Sequence, residues 1–80
     1  MTMDIQKQVI RTVANCLGVM EREVTEATTK GELGMDSMDE IELVMVLEDE
    51  FGIEIDDAEA ESLNTVGEMI AMVAKKKGVN

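Results

Sequence analysis

Apolar residues recur in this chain at intervals of three and four, and that spacing commits most of it to helices. Ile5, Val9, Val13, Cys16 and Leu17 form one stripe, closed by Gly18, which places helix one at roughly 3–17. Leu43, Val44, Leu47 and Phe51 form a second, with Gly52 as its stop, so helix two runs from about Ser37 to Phe51. A third stripe of Val66, Met69, Ile70 and Val73 follows the capping box Thr65-Val66-Gly67-Glu68 and defines helix four. Between these, Asp56 or Asp57 caps a short third helix through about Ser62. Ile53-Glu54-Ile55 alternates as a strand does, but no second strand pairs with it, so it reads as extended loop. The expected fold is therefore all-α. It is a four-helix bundle with a short third helix and a long loop, residues 18–36, between helices one and two. Gly31 and Gly34 punctuate that loop, and Val19, Met20, Val24 and Leu33 are expected to pin it to the core. A loop of such length in so small a fold points to function.

The chain of 80 residues reads as one domain, 1–80. Phe51 is its only aromatic residue, so the core rests on Ile, Leu, Val and eight adaptable Met. Seven basic residues against eighteen acidic ones give a net charge of −11. That excess argues against nucleic acid and against anionic membrane surfaces, both of which need Lys and Arg. It favours protein partners with basic surfaces, drawn in by electrostatic steering. Asp4, Lys7 and Arg11 interrupt any leader-like apolar run, and no stretch is long enough to insert in a membrane. A reducing cytoplasm is the default compartment, and Cys16, alone on an apolar stripe, reads as a small buried hydrophobe. With no His there is no zinc site of the usual kind and no base for a serine triad. No segment has the spacing of a calcium loop. Lys75, Lys76 and Lys77 suit the negative end of helix four as a solvated tail.

Helix two has two faces. At about 100° per residue, Leu43, Val44, Leu47 and Phe51 share the core arc. Met38, Ile41 and Met45 fall opposite, with Glu42, Glu48 and Asp49 beside them. Apolar anchors inside an acidic rim suit docking to a partner, with contact from one kind of residue and orientation from the other.

Ser37 opens this helix. Ser37-Met38-Asp39-Glu40 matches a capping box, in which the hydroxyl would be consumed as the cap. Alternatively Asp36 is the cap and the hydroxyl stays free, beside the partial positive charge of a helix N-terminus, where a phosphate is favoured.

The run Gly34-Met35-Asp36-Ser37-Met38-Asp39 resembles the signature of the acyl carrier protein family. The resemblance continues through Glu42-Leu43-Val44-Met45, Leu47-Glu48-Asp49-Glu50-Phe51, Ile53-Glu54-Ile55, Ala58-Glu59-Ala60-Glu61 and Thr65-Val66. Upstream it takes in Leu17-Gly18-Val19 and Glu23-Val24. It implies a discrete, monomeric carrier that catalyses nothing. A phosphopantetheinyl transferase would attach 4′-phosphopantetheine from coenzyme A to Ser37, with Asp36 beside the phosphate. Acyl groups would ride on the arm as thioesters between enzymes of fatty acid synthesis. Met38, Asp39, Ile41, Glu42, Met45, Glu48 and Asp49 would meet the basic docking surfaces of those enzymes. Cargo would lodge near Leu47, Phe51, Ile55 and Leu63. A carrier of polyketide or aminoacyl cargo, and an unmodified acidic adaptor of the same fold, are the alternatives. The chain departs from the pattern in Met38 where a Leu is usual, in a loop one residue short with no aromatic near Thr28 and Thr29, in Asp56 where Pro is frequent, and in the lysine tail.

Overall fold

The computed structural model describes residues 4–78. Four helices follow in order: α1 (Ile5–Leu17), α2 (Ser37–Phe51), α3 (Asp57–Ser62) and α4 (Val66–Lys77). This is the all-α arrangement that the spacing predicts. No strand occurs among the described residues, and Ile53-Glu54-Ile55 is extended without a partner. Residue 3, placed in helix one by its periodicity, lies outside the described residues, and Asp4 caps α1 through the Gln6 N–H.

α1 is the hub and packs along both α2 and α4. Val9, Val13, Leu47, Val66 and Val73 are sealed from solvent at its centre, with Leu43, Phe51 and Met69 nearly so. Thr12 is the one buried polar side chain among the described residues, and its hydroxyl donates to the Gln8 carbonyl at 2.8 Å. That back-bond satisfies the hydroxyl within its own helix and lets it sit among aliphatic neighbours.

Each helix start carries the cap that its sequence offers. Asp56 and Glu59 reciprocate hydrogen bonds at α3, and Thr65 and Glu68 do so at α4. α3 itself is a single short piece that no large apolar face holds. Side chains from elsewhere tie it down: Lys76 of α4 pairs with Glu59 at 3.0 Å, and Lys30 of the long loop reaches the Ala60 carbonyl at 2.9 Å.

The long loop is more ordered than a reading of turn residues suggests. It contains one 3₁₀ turn, Glu21–Glu23, that the spacing did not reveal. It then runs alongside the junction between α3 and α4. Lys30 N–H donates to Asn64 O, Val66 N–H to Thr28 O and Gly67 N–H to Glu26 O, all at 2.9 Å, around an isolated antiparallel bridge of Thr29 with Thr65. Val24 is buried and Val19 and Leu33 pack on the core, as expected, but Met20 is 55% exposed and pins nothing. Its position as the residue preceding the 3₁₀ turn aims it outward.

Two further expectations are corrected. Cys16 is half-buried rather than fully buried, because it sits at the flank of the α1 stripe and not at its centre. The lysine tail is not simply solvated: besides the Lys76–Glu59 pair, Lys77 donates to the Phe51 carbonyl at 3.2 Å. Lys77 thereby compensates an orphan carbonyl at the C-terminal end of α2, where positive charge is favourable.

Candidate functional site

The chain turns into α2 through Gly34, whose φ of 68° lies in the left-handed region that suits glycine. Two residues later Asp36 takes the N-cap. Its carboxylate accepts the Asp39 N–H at 2.9 Å, and the Asp39 carboxylate accepts the Asp36 N–H at 3.3 Å. Of the two possible caps, the structure therefore uses Asp36. Ser37 falls inside the first turn, exposed, and the cap's hydrogen bonds leave its hydroxyl out. A free hydroxyl thus stands at the N-terminus of a helix of 15 residues, where unpaired backbone N–H groups and the helix dipole favour an anion.

Ser37 also stands at the mouth of a cleft of about 400 Å³ between α2 and α3. Ile41, Val44, Met45 and Glu48 line one wall, and Ile55, Asp57, Ala60 and Glu61 the other. Glu40 completes the lining. On its loop side Ser37 borders a second recess with Lys30, Met35, Asp36, Glu40 and Glu61. Lys30 is the one cation lining either space, and its ammonium is bound to Glu40. The exposed hydroxyl, the helix start and the adjoining cleft fit a phosphate-linked arm.

The second face of α2 is open. Met38, Ile41 and Met45 are 71%, 60% and 61% exposed, and Glu42 and Asp49 stand free beside them. Glu48 and Asp39 differ from that description. The Glu48 carboxylate turns inward and accepts the N–H of Ile55 at 2.8 Å, clasping the segment after α2 back onto the helix. Asp39 is spent in the cap. Both side chains are committed to the fold.

The four residues expected around a cargo cavity separate into two groups. Leu47, Ile55 and Leu63 line a small apolar void with Leu43, Val44, Met69 and Met72, closed by Lys30 and Glu40. Phe51 is buried at the far end of α2 and lines neither this void nor the cleft. The void measures about 10 Å³, room for one water-sized body. Lys30 is the member of this site that sequence reasoning missed. It sits in a loop without periodicity, and only its distant partners reveal it.

These features define a class, an acidic helical bundle that presents one free serine hydroxyl at a helix start. The family of the phosphopantetheine attachment site matches residues 7–73. An acyl carrier protein from Thermotoga maritima is 38% identical over 86% of this chain and 81% of its own, with a TM-score of 0.74. A protein from Anaplasma phagocytophilum assigned as an acyl carrier protein is 31% identical over 91% of this chain and 88% of its own, with a TM-score of 0.82. The chain belongs to the acyl carrier protein family, whose members carry covalent 4′-phosphopantetheine and act as carriers rather than enzymes. Such carriers engage a phosphopantetheinyl transferase and acyl-processing enzymes. No helix among the described residues is long and apolar enough to cross a membrane.

Proposed function

We propose that the chain carries acyl intermediates of fatty acid synthesis on an arm attached at Ser37. The single observation behind this reading is that Asp36 takes over the capping duty and leaves the Ser37 hydroxyl free at the start of α2. When bound, the arm supplies a terminal thiol that holds an acyl group as a thioester. The rest falls to residues of this chain. Ser37 provides the oxygen of the new phosphodiester bond and gives up its proton, while the diphosphate bond of coenzyme A breaks and adenosine 3′,5′-bisphosphate leaves. Asp36 fixes the geometry of the turn that presents it. Met38, Ile41 and Met45 offer apolar contact to a partner, while Glu42 and Asp49, with the charges of Asp39 and Glu48 behind them, orient basic surfaces towards the serine. Cargo leaving Ser37 first meets the cleft between α2 and α3, with Ile41, Val44 and Met45 along one wall. The interior beyond it, at Leu47, Ile55 and Leu63, must widen before it holds an acyl chain. The acidity of the docking face favours fatty acid synthesis over polyketide or aminoacyl pathways.

The test is direct. Incubation with coenzyme A, magnesium and a broad-specificity phosphopantetheinyl transferase should add one phosphopantetheine to the protein by intact mass. Ser37→Ala should gain none. Modification of that variant at another hydroxyl would remove Ser37 from the site.

A further inference from the structure

The sulfur atoms of this chain divide sharply by exposure. Among the methionines of the described residues, Met69 is buried and Met35 and Met72 are half-buried against the core, while Met20, Met38 and Met45 stand in solvent. Two of those three lie on the open face of α2. Met38 and Met45 are seven positions apart, about 11 Å along the helix axis and about 20° around it. Ile41 sits between them, so two thioethers bracket the apolar strip that begins one residue after Ser37. Cys16, the only thiol of the chain, does not compete with them for an oxidant. It is half-buried, and burial first, then the charges of Glu42 and Glu50, push its pKa up and keep it protonated. A thioether needs no ionisation to react, only access.

We propose that Met38 and Met45 form an oxidation site at which hydrogen peroxide switches off the docking face of α2. A lone pair of the sulfur attacks one peroxide oxygen, the O–O bond breaks and an S–O bond forms. The proton on the transferred oxygen passes to the leaving oxygen, which departs as water. The sulfur is oxidised by two electrons and the peroxide is reduced by two. Peroxide is uncharged, so Glu42 and Asp49 beside the strip do not repel it as they would an anionic oxidant. The product is a sulfoxide, polar and a hydrogen-bond acceptor. In the free protein that oxygen is solvated and costs the fold little, because both side chains are exposed. Against a partner it must give up its water to an apolar contact that has no donor for it. A leucine at either position would make a similar apolar contact and could not be oxidised. The inference rests on the reading that this face of α2 meets partners, and adds how that contact is regulated.

The experiment treats the full chain with hydrogen peroxide, removes the excess with catalase and maps the oxidised residues by peptide mass. The rate of phosphopantetheine transfer is measured before and after treatment, at carrier concentrations below KM, and the fold is followed by thermal melting. Met38 and Met45 should take up oxygen well ahead of Met35, Met69 and Met72, and transfer should slow about tenfold with the melting transition retained. Methionine sulfoxide reductases of both epimer specificities should restore the rate. The double variant Met38→Leu, Met45→Leu is compared with itself before and after peroxide, so that any effect of leucine alone cancels, and its rate should not respond. Met20→Leu, substituted outside α2, should slow as the wild type does. Uptake at Met69 as early as at Met38 overturns the proposal. So does a lost melting transition, or slowing that persists in the double variant, since the oxygen then acts elsewhere. An oxidised wild type that transfers at full rate overturns the proposal alone where untreated Met45→Ala transfers slowly, and overturns the docking reading as well where it does not. Untreated protein that accepts no arm removes the attachment reading, and this inference with it.

Discussion

At the scale of single residues, the first turn of α2 shows how one side chain releases another. Asp36 caps the helix, so Ser37 does not have to, and the hydroxyl that a capping box would have consumed remains available. Glu48 shows the reverse. From its place on the helix wheel it belongs to an acidic rim, but its carboxylate holds the buried Ile55 N–H. Glu48→Ala should therefore cost about 1–3 kcal/mol in chemical denaturation, the penalty of an unpaired buried donor. Glu42→Ala, on the open part of the same face, should stay within about 0.5 kcal/mol. Equal costs at both positions would mean that the clasp contributes nothing. Glu68 offers a test by pH. The Thr65 and Asn64 N–H groups that it accepts hold its pKa below the ordinary glutamate value, against an opposing effect of burial and with lesser help from the Thr65 hydroxyl and Lys30. A lowered folded-state pKa stabilises the fold above the ordinary glutamate range, and that stability is lost as pH falls through the lowered value. The stability gap between wild type and Glu68→Gln should thus be full at neutral pH and close in acid. A gap that stays constant to low pH would show that the charge of Glu68 is irrelevant to its cap. The half-buried thiol of Cys16 is pushed up by burial first, and then by the negative charges of Glu42 and Glu50, which keeps it protonated and unreactive at neutral pH.

At the scale of elements, the long loop and the start of α4 form one unit. Three backbone hydrogen bonds join them, and the last, from Gly67 N–H to Glu26 O, draws the two segments very close. A Cβ at residue 67 would lie 3.0 Å from the Glu26 carbonyl oxygen, a backbone atom with little freedom to withdraw. Alanine ordinarily favours a helix over glycine by about 1 kcal/mol. Here the crowding outweighs that gain, and Gly67→Ala should destabilise the fold by about 1 kcal/mol net. Amide exchange should quicken at Lys30 and Val66, whose N–H groups depend on the same pairing. Unchanged exchange with raised stability would show that the loop yields freely. The loop matters to the site because it delivers both Gly34, which turns the chain into Ser37, and Lys30, which reaches across to α3.

At the scale of the whole molecule, charge opposes cohesion. Eighteen acidic residues share the surface with seven basic ones, and the ion pairs among the described residues engage Arg11, Lys30 and Lys76 with Glu21, Glu40 and Glu59. The remaining carboxylates repel one another and act to loosen the bundle. Raising the salt shortens the screening length from about 30 Å at 0.01 M to about 3 Å at 1 M. The melting temperature followed by circular dichroism should rise over that range. A flat response would mean that the local caps and clasps already compensate the acids. The same excess should make association with basic partners fast at low salt and slower as salt is added.

The helices, the Thr65–Glu68 cap of α4 and the two faces of α2 were legible in the chain itself, because each depends on neighbours a few residues apart. The periodicity of Leu43, Leu47 and Phe51, the pairing of Thr65 with Glu68, and the gathering of Met38, Ile41 and Met45 on one arc are consequences of helical geometry alone; that the arc is exposed is decided by the packing. Which of Asp36 and Ser37 would cap α2 was not legible, because both satisfy the same local rule. The inward turn of Glu48, the bond from Lys77 to the end of α2, and above all the bridge from Lys30 to Glu40 and Ala60 depended on packing. They join residues 7, 26, 10 and 30 positions apart. A long polar side chain in a loop has no period to betray its direction. Only once α2 and α3 lie side by side do the Glu40 carboxylate and the Ala60 carbonyl converge on one point within reach of Lys30.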